Sequence, residues 1–394
     1  MARDPLRRAY SVDAMRLLAR GALPRAVFDF ADGGAESEAT LRRNEAAFGA
    51  LTLLPRPLRG AAERDLSVTL FGHRLSMPLL IGPTGLSGLF WPDGERAAAR
   101  AAAKAGIGIC LSHGSVCTLE AFAETGTTPR LMQVFIYKDR GFTEELTQRA
   151  KAAGYHALVL TIDNQLTGNR ERDKRNGFSI PPEPGFAGVV DSVLKARWLW
   201  RMRRELPRIT FANYLREGQA NDLASLASRM GSLLDQSMNW ADVAWLRTIW
   251  DGPLILKGVM HPDDADIAIA EGIDGVIVSN HGGRQVDGAA ASVEVLGAVA
   301  DRVAGRIPVL LDGGVRRGGD IIKAVALGAS AVLIGRPQLW GLAVAGEEGV
   351  TRVLDLYRGE LDRAMGLCGL SSIGAIDRKI LHTTNNNIRE GTTE

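Results

Sequence analysis

Eight short apolar runs recur along the chain, and most are followed by a segment with helical periodicity. Strands that are apolar on both faces and alternate with helices are typical of a parallel sheet covered by helices. Eight such units predict a (β/α)8 TIM barrel. A doubly wound open sheet is the alternative, but it needs a glycine fingerprint after its first strand, which "GPTGLSG" matches poorly. The runs cover residues 78–85, 107–114, 130–136, 157–163, 253–259, 275–283, 308–314 and 331–337.

Two regions lie outside the repeat, and we treat the whole chain, 1–394, as one barrel domain that contains them. The sequence of residues 1–75 predicts N-terminal helices and a short hairpin that closes the bottom of the barrel. Residues 164–252 form a long insertion after strand 4.

Within the insertion, residues 194–208 combine two tryptophans with six arginines or lysines. Leu194, Trp198, Met202 and Leu206 follow one another at i, i+4 spacing and would share one face of a helix. A basic amphipathic helix fits a membrane surface, but it also fits docking on the chain's own barrel or on a neighbouring subunit.

Composition excludes several classes of function. The 394 residues carry a net charge of +2, so nothing in the bulk charge indicates nucleic-acid binding. The three cysteines include no CxxC pair, so neither a disulfide framework nor a metal site is expected. Because the N-terminus has no apolar core and no apolar run approaches about 18 residues, we expect a cytoplasmic protein without a transmembrane span.

Polar residues cluster where the predicted strands end, which is where barrels place their active sites. Strands 7 and 8 end in Asp312-Gly313-Gly314-Val315-Arg316 and Gly335-Arg336. Glycines whose backbone N–H groups face a cavity, together with arginines, are suited to a phosphate dianion. These two strand ends therefore predict a phosphate site.

Strands 4, 5 and 6 supply groups that could perform chemistry. His281 is suited to proton abstraction near neutral pH, Arg284 and Arg170 to a carboxylate, and Asp163 to holding the imidazole. Lys257 ends an apolar strand, where it could form a Schiff base, face an anion or an electron-rich ring, or belong to a structural ion pair. His113 follows strand 2, and its sequence neighbours leave open whether it lines the same pocket.

The motifs "PTGLSG", "QVFIYKDR", "LTID", "GNRERD", "LKGV", "SNHGGRQVDG", "LDGGVRRGGD" and "IGRP" resemble those of the FMN-dependent 2-hydroxy acid oxidase and dehydrogenase family. The resemblance runs over nearly the whole chain. The segment "LLIGPTGLSGLFWPDGERAAARAAAKAGI" is most similar to the (S)-mandelate dehydrogenase branch, in which a long insertion is associated with membrane attachment.

The resemblance implies a role for each matching residue. His281 would be the base, with Asp163 as its partner, and Arg284 and Arg170 would bind the substrate carboxylate. Lys257 would lie near flavin N1 and O2 and favour negative charge on the reduced ring. The other FMN contacts would fall on Pro83, Thr84, Gly85, Ser112, Gln133, Thr161, Ser279, Asp312, Gly313, Gly314, Arg316, Gly335 and Arg336.

The chain departs from the family at two substrate positions. Phe30 and Phe135 stand where the family usually has tyrosines that bind the carboxylate and the developing charge. Losing a charge-assisted hydrogen bond costs about 1.5–3 kcal/mol. With Phe30, Phe135 and His113 in the substrate pocket, we expect oxidation of a 2-hydroxy acid, aromatic or lactate-like. The alternative is a biosynthetic FMN oxidase acting on an amine or on a carrier-bound or peptide-derived acid.

Three further expectations concern partners. The electron acceptor would be O2 or a quinone, and Gly85, in place of the alanine common in the oxidases, favours a dehydrogenase. The resemblance implies a homotetramer. Residues 194–208 could make a peripheral contact with the inner face of a membrane. A phosphate-binding barrel isomerase and a non-catalytic flavin protein remain the competing classes.

Overall fold

The computed structural model describes residues 4–127, 129–178, 186–214 and 233–382. The strands are β1 Thr52–Leu53, β2 Val68–Leu70, β3 His73–Leu75, β4 Leu79–Ile81, β5 Gly108–Leu111, β6 Arg130–Val134, β7 Ala157–Thr161, β8 Leu254–Val259, β9 Gly275–Val278, β10 Val309–Leu311, β11 Ala331–Ile334 and β12 Leu381–His382.

The α-helices alternate with these strands along most of the chain, and several begin at a side chain that caps the first turn. Thr118 and Asp139, for example, accept hydrogen bonds from the backbone N–H groups of Ala121 and Phe142. The helices are α1 Val12–Ala22, α2 Arg25–Asp32, α3 Ala39–Ala50, α4 Gly94–Ala105, α5 Leu119–Ala123, α6 Arg140–Ala152, α7 Glu171–Arg175, α8 Phe186–Leu194, α9 Ala196–Met202, α10 Trp240–Ile249, α11 Pro262–Ala270, α12 Ser292–Val303, α13 Gly318–Ala326 and α14 Arg336–Cys368, which is broken at Ala345–Gly346.

Strands β4 to β11 form a closed parallel barrel in chain order, with β11 paired back to β4. Leu80 lies opposite Gly108 of β5, and Leu79 lies opposite Val332 of β11. The predicted (β/α)8 barrel is therefore confirmed, with its N-terminal helices and its insertion between β7 and β8. The doubly wound alternative is wrong.

Alternate residues of the strands divide the core in two, because successive side chains point to opposite faces. Leu80, for example, packs inside the barrel, whereas Leu79 and Ile81 pack against the helices. The predicted hairpin is β2–β3, and its Leu70 and Leu75 belong to the inner cluster. The hairpin thus closes the end of the barrel opposite the strand C-termini.

The basic tryptophan segment does not form the single helix that its spacing predicts. The chain turns at Lys195, between α8 and α9, and Met202 ends α9. Trp198 and Met202 are buried against the barrel, with the Trp198 indole N–H donating to Leu89 O at 3.1 Å. Trp198 and Met202 therefore share a face as predicted, and that face docks on the chain's own barrel, which is one of the alternatives that the sequence left open. Leu194, at the start of the predicted stripe, lies on the preceding helix and is exposed.

A different set of apolar side chains on the same two helices is exposed. Leu194 is 75% exposed and Trp200 is 68% exposed. The set consists of Val189, Val190, Val193, Leu194, Leu199 and Trp200. Within the described residues, none of the helices has the length and apolar character needed to cross a bilayer.

Candidate active site

A cavity of about 460 Å³ opens at the carboxyl ends of the barrel strands. Most of the site residues predicted from the sequence line it: Phe30, Pro83, Thr84, Gly85, Ser112, His113, Gln133, Phe135, Thr161, Arg170, Lys257, His281, Arg284, Asp312, Gly313, Gly314, Arg316, Gly335 and Arg336. Asp163 and Ser279 lie behind this wall and reach it through hydrogen bonds to His281, Lys257 and Asp312.

His281 stands in the turn after β9 with a left-handed backbone, φ +57°. Its Nδ1 lies 3.1 Å from Oδ1 of Asp163, which follows β7. Burial lowers the pKa of His281, the charge of Lys257 lowers it further, and Asp163 opposes both. Burial would raise the pKa of Asp163, but the charges of His281 and Lys257 outweigh it and lower that pKa. The two shifts favour an ionised Asp163 that holds the His281 imidazole through Nδ1.

Lys257 is buried on β8 and belongs to a small polar network. Its ammonium donates to Ser279 Oγ at 3.0 Å and lies 3.3 Å from Asp312 Oδ2. Ser279 Oγ in turn donates to Asp312 Oδ1 at 2.6 Å. Burial would lower the pKa of Lys257, but the charges of Asp312 and Asp163 outweigh it and raise that pKa. A protonated lysine is not a nucleophile, so the structure gives no support to the Schiff-base reading.

Three arginines of the wall form no ion pair with any carboxylate among the described residues. Arg284 donates to the carbonyls of Phe30 and Gly33 at 2.8 and 2.9 Å, and Arg336 donates to those of Ala31 and Gly33. The Nε of Arg170 is buried and has no hydrogen-bond partner among the described residues. Burial and the neighbouring arginines lower the pKa of Arg284, and burial lowers that of Arg336 to about 10. Uncompensated buried cations are costly, so this wall is built for anions.

The loop after β10 lines the cavity with two consecutive glycines that pack closely against Asn44. Gly313 and Gly314 have φ of +92° and +88°, a conformation that side chains other than glycine rarely adopt. A Cβ on Gly314 would lie 2.2 Å from Asn44 O. Arg316 and Arg336 line the cavity next to this loop, and Thr161 Oγ1 is buried without a hydrogen-bond partner among the described residues. A polar cradle, two cations and an orphaned hydroxyl fit a bound phosphate-bearing group such as FMN.

His113 lies against the predicted substrate residue Phe135, with ring centroids 4.3 Å apart. Its Nδ1 is 2.5 Å from Gln133 Oε1, and its backbone N–H donates to the same oxygen. Burial lowers the pKa of His113 to about 4, and the hydrogen bond to Gln133 only partly offsets it. His113 is therefore a neutral part of the wall.

The sequence reasoning missed part of the aromatic wall. Phe211 and Tyr214, both in the insertion, line the cavity together with Leu234. The hydroxyls of Tyr214 and Tyr137 lie 2.6 Å apart in the interior. Tyr137 itself does not line the cavity, so it supplies no hydroxyl in place of Phe135. The short run "FANY" amid polar residues was the available signal.

The comparisons with known proteins agree with this geometry. A family model described as "FMN-dependent dehydrogenase" matches residues 19–383. The chain belongs to this family. It is 42% identical to the L-lactate dehydrogenase of Ectopseudomonas mendocina over 371 residues, which cover 93% of this chain and 97% of that protein. It is 39% identical to human 2-hydroxyacid oxidase 1 over 364 residues, covering 92% of this chain and 94% of that protein.

A solved structure extends the likeness to three dimensions. The crystal structure of the monotopic membrane protein (S)-mandelate dehydrogenase superposes with a TM-score of 0.91 at 40% identity, covering 95% of this chain and 99% of that chain. These relatives are named for 2-hydroxy acids, and they give no support to the alternative of an amine or a carrier-bound substrate. The protein is an FMN-dependent oxidoreductase of this family.

Proposed function

We propose that this enzyme oxidises a 2-hydroxy acid with an apolar, aromatic side chain to the 2-oxo acid. The observation that carries the proposal is one cavity in which the His281–Asp163 pair, the unpaired Arg170 and Arg284, and a wall of aromatic rings meet. The pair serves proton transfer, the arginines serve a carboxylate, and the rings serve an aryl group.

The two arginines determine how the substrate binds. A carboxylate entering the cavity would neutralise Arg170 and Arg284, which have no other carboxylate partner among the described residues. Arg284 is held in place by the Phe30 and Gly33 carbonyls, so its remaining N–H groups are oriented in advance. The carbon bearing the hydroxyl is thereby brought to His281, which lines the same cavity.

His281 accepts a proton from the substrate at Nε2, because Nδ1 is occupied by Asp163. Asp163 then stabilises the imidazolium that results, since its own pKa is held low and it stays ionised. The oxidation removes two electrons and two protons from the substrate, and bound FMN supplies the two-electron acceptor.

The residues predicted to hold the cofactor line the same cavity or, like Ser279, lie directly behind its wall. Lys257 would place a positive charge against the flavin, and its charge is secured by Asp312 and Ser279. Thr161, Gln133, Ser112 and the Pro83–Gly85 loop would contact the ring system. Asp312 to Gly314, Arg316, Gly335 and Arg336 would hold the ribityl chain and the phosphate.

We further propose a dehydrogenase that meets its membrane acceptor, a quinone, through a peripheral contact. The exposed apolar residues of α8 and α9 lie among Arg197, Arg203 and Arg204, and Trp200 stacks with Arg203 at 4.2 Å. Tryptophan beside cations is typical of side chains that enter a membrane interface. A cytoplasmic location at the inner face and a homotetramer stay predictions, the latter open to light scattering.

Anaerobic reduction of the flavin tests the substrate. We expect mandelate and 4-hydroxymandelate to bleach the flavin faster than lactate does. Bleaching by lactate alone would remove the aromatic proposal, and bleaching by none of the three would remove the 2-hydroxy acid. Reoxidation by a soluble quinone that is faster than by O2 would support the dehydrogenase, and the reverse order would contradict it.

A further inference from the structure

The hydrogen bonds around His113 determine which of its ring nitrogens carries the proton, and the side-chain amide of Gln133 decides the matter. Gln133 Nε2 donates to Val134 O at 3.1 Å, and Gln133 Oε1 accepts the backbone N–H of His113 at 3.2 Å. An amide turned the other way would set its NH2 group against that N–H, donor against donor. The atom of Gln133 that faces His113 is therefore an acceptor.

The same oxygen fixes the tautomer of the His113 ring. Nδ1 lies 2.5 Å from Gln133 Oε1, and because that oxygen only accepts, Nδ1 carries the hydrogen. Burial lowers the pKa of His113 to about 4, so the ring holds a single proton at neutral pH. Nε2 therefore has a lone pair and no hydrogen.

Nε2 is the polar atom that His113 offers to the active-site cavity. His113 lines the cavity, and its Nδ1 edge is turned toward Gln133. Nε2 makes no hydrogen bond with any described residue, yet it is not among the buried unpartnered atoms, so it keeps accessible surface. After burial, the charge of His281 also lowers the pKa of His113, so the two imidazoles lie close enough to contact one substrate.

The insertion holds the loop that carries His113. Asn213 is fully buried, and its amide donates to Ser115 Oγ at 2.9 Å and to His113 O at 3.4 Å. The rings of Phe135 and Tyr214 pack against the His113 ring, with centroids 4.3 and 5.6 Å away. The lone pair of Nε2 therefore has a fixed direction before a substrate binds.

The charged groups of the cavity leave few acceptors for a substrate. Asp312, the one carboxylate among the described residues that line the cavity, is already bound by Lys257 and Ser279. The cations of the wall only donate: Arg170, Arg284, Arg316, Arg336 and Lys257. A 2-hydroxy acid brings one donor of its own, the hydroxyl hydrogen, and imidazole lone pairs on His281 and His113 are suited to accept it.

We propose that Nε2 of His113 accepts a hydrogen bond from the 2-hydroxyl group of the substrate and thereby selects the alcohol over the 2-oxo product. The inference rests on the proposed function and deepens it. His113 takes no proton, because an imidazole with so low a pKa is a weak base. The product has a carbonyl oxygen in place of the hydroxyl, so the bond is lost and two lone pairs face each other. The pocket therefore favours release of the product.

The test measures the binding of three acids that the oxidised holoenzyme cannot oxidise, followed by the change in flavin absorbance. The acid 2-hydroxy-2-phenylpropanoate has a methyl group in place of the hydrogen on C2. The second acid, 2-phenylpropanoate, differs from it only in lacking the hydroxyl. The third, phenylglyoxylate, is the 2-oxo acid that mandelate would give. Flavin content shows that each variant is folded.

The variants are His113→Phe and His113→Gln. Phenylalanine keeps a ring in the wall but has no acceptor. Glutamine is the matched control, because its amide can donate to Gln133 Oε1 and still offer an oxygen to the substrate.

We expect wild type to bind 2-hydroxy-2-phenylpropanoate about two- to tenfold more tightly than 2-phenylpropanoate, since a neutral hydrogen bond contributes that much. His113→Phe should remove most of this preference, and His113→Gln should keep part of it. Phenylglyoxylate should bind to His113→Phe at least as tightly as to wild type. A purely structural role would instead weaken all three acids together and leave their ratios unchanged.

The tautomer is open to a measurement that needs no substrate. In holoenzyme labelled with ¹⁵N-histidine, a two-bond ¹H–¹⁵N spectrum distinguishes a ring protonated at Nδ1 from one protonated at Nε2. The spectrum of His113→Gln identifies the signals of His113 by their absence. We expect the hydrogen on Nδ1.

A hydrogen on Nε2 of His113 would overturn the inference, and so would an unchanged preference in His113→Phe or no preference in wild type. Reduction of the wild-type flavin by mandelate in the same preparations would show that the proposed function survives any of these outcomes. If no 2-hydroxy acid reduces the flavin, the proposed function is refuted, and the selection by His113 with it.

Discussion

Lys257 on the cofactor side of the active-site cavity and the two arginines on the substrate side differ in how their charges are balanced. On the cofactor side, Lys257 is neutralised by Asp312 and oriented by Ser279 before anything binds. On the substrate side, Arg170 and Arg284 have no carboxylate partner among the described residues. The first arrangement is complete without a ligand, whereas the second is completed by the charge of the ligand. The comparison separates a cation that already has a carboxylate partner in the protein from cations that would gain one only when a substrate binds.

The largest effect is expected at His281, where the substrate side performs proton transfer. His281→Gln should lower the rate of flavin reduction by at least about 10²–10⁴-fold, since a general base contributes that much. The flavin should stay bound, because all the predicted cofactor residues except Ser279 lie on other strands. Stopped-flow absorbance measures the rate, and the flavin spectrum of the purified variant is the control. A rate within a few-fold of wild type would show that His281 is not the base.

Lys257→Met breaks the completed network on the cofactor side. It leaves Asp312 buried without its cation, and removing one partner of a buried pair typically costs about 3–5 kcal/mol. Urea unfolding of apoprotein and holoprotein should show this loss of stability. An unchanged free energy of unfolding would mean that the Lys257–Asp312 pair does not stabilise the protein before its ligand binds.

Arg170→Met should lower activity without lowering stability, which is the opposite of the effect expected on stability for Lys257→Met. It removes a charge-assisted contact to the substrate, so kcat/KM should fall about 10- to 100-fold. The free energy of unfolding should stay equal or rise, because a buried cation without a carboxylate partner disappears. Arg170→Lys, the conservative control, keeps the charge but loses the planar fork and should recover only part of the activity. Strong destabilisation by Arg170→Met would contradict the comparison.

Phe135→Tyr adds to the substrate side the hydroxyl that the family usually has. It should raise kcat/KM for lactate, because the phenol can donate to the substrate oxygen, by up to about 10-fold. Turnover of an aromatic acid should change less or fall, since Phe135 packs against His113 in an apolar setting. A loss of activity with every acid tested would show that the pocket has no room for the hydroxyl.

The smallest effect is a shift in pH dependence. His281 must be neutral to accept a proton, so kcat/KM should rise with pH through the pKa of His281, which burial holds below its usual 6.5. Asp163 raises that pKa, so Asp163→Asn should move the acidic limb to lower pH while lowering the plateau. A limb that moves to higher pH would show that another group controls it.

The strands and their polar ends could be predicted from the sequence because apolar runs and strand ends are local patterns. His281, Arg284 and Lys257 all follow from that rule, and they line one cavity as expected. Phe211 and Tyr214 could not be found in this way, because no strand end positions them. The shared face of Trp198 and Met202 could be predicted, because i, i+4 spacing shows which residues share a face. That spacing could not show whether this face meets the barrel or a membrane.

The turn after α2 connects distant parts of the chain. Arg284 and Arg336 both donate to the carbonyls between Phe30 and Gly33, so residues 250 to 300 positions apart close the same pocket. Contacts of such long sequence separation form late in folding. During synthesis, the N-terminal helices leave the ribosome long before Arg336 does. The carbonyls of the turn after α2 therefore lack their arginine donors until the end of the barrel has been made. The pocket therefore becomes complete only when most of the barrel has been synthesised.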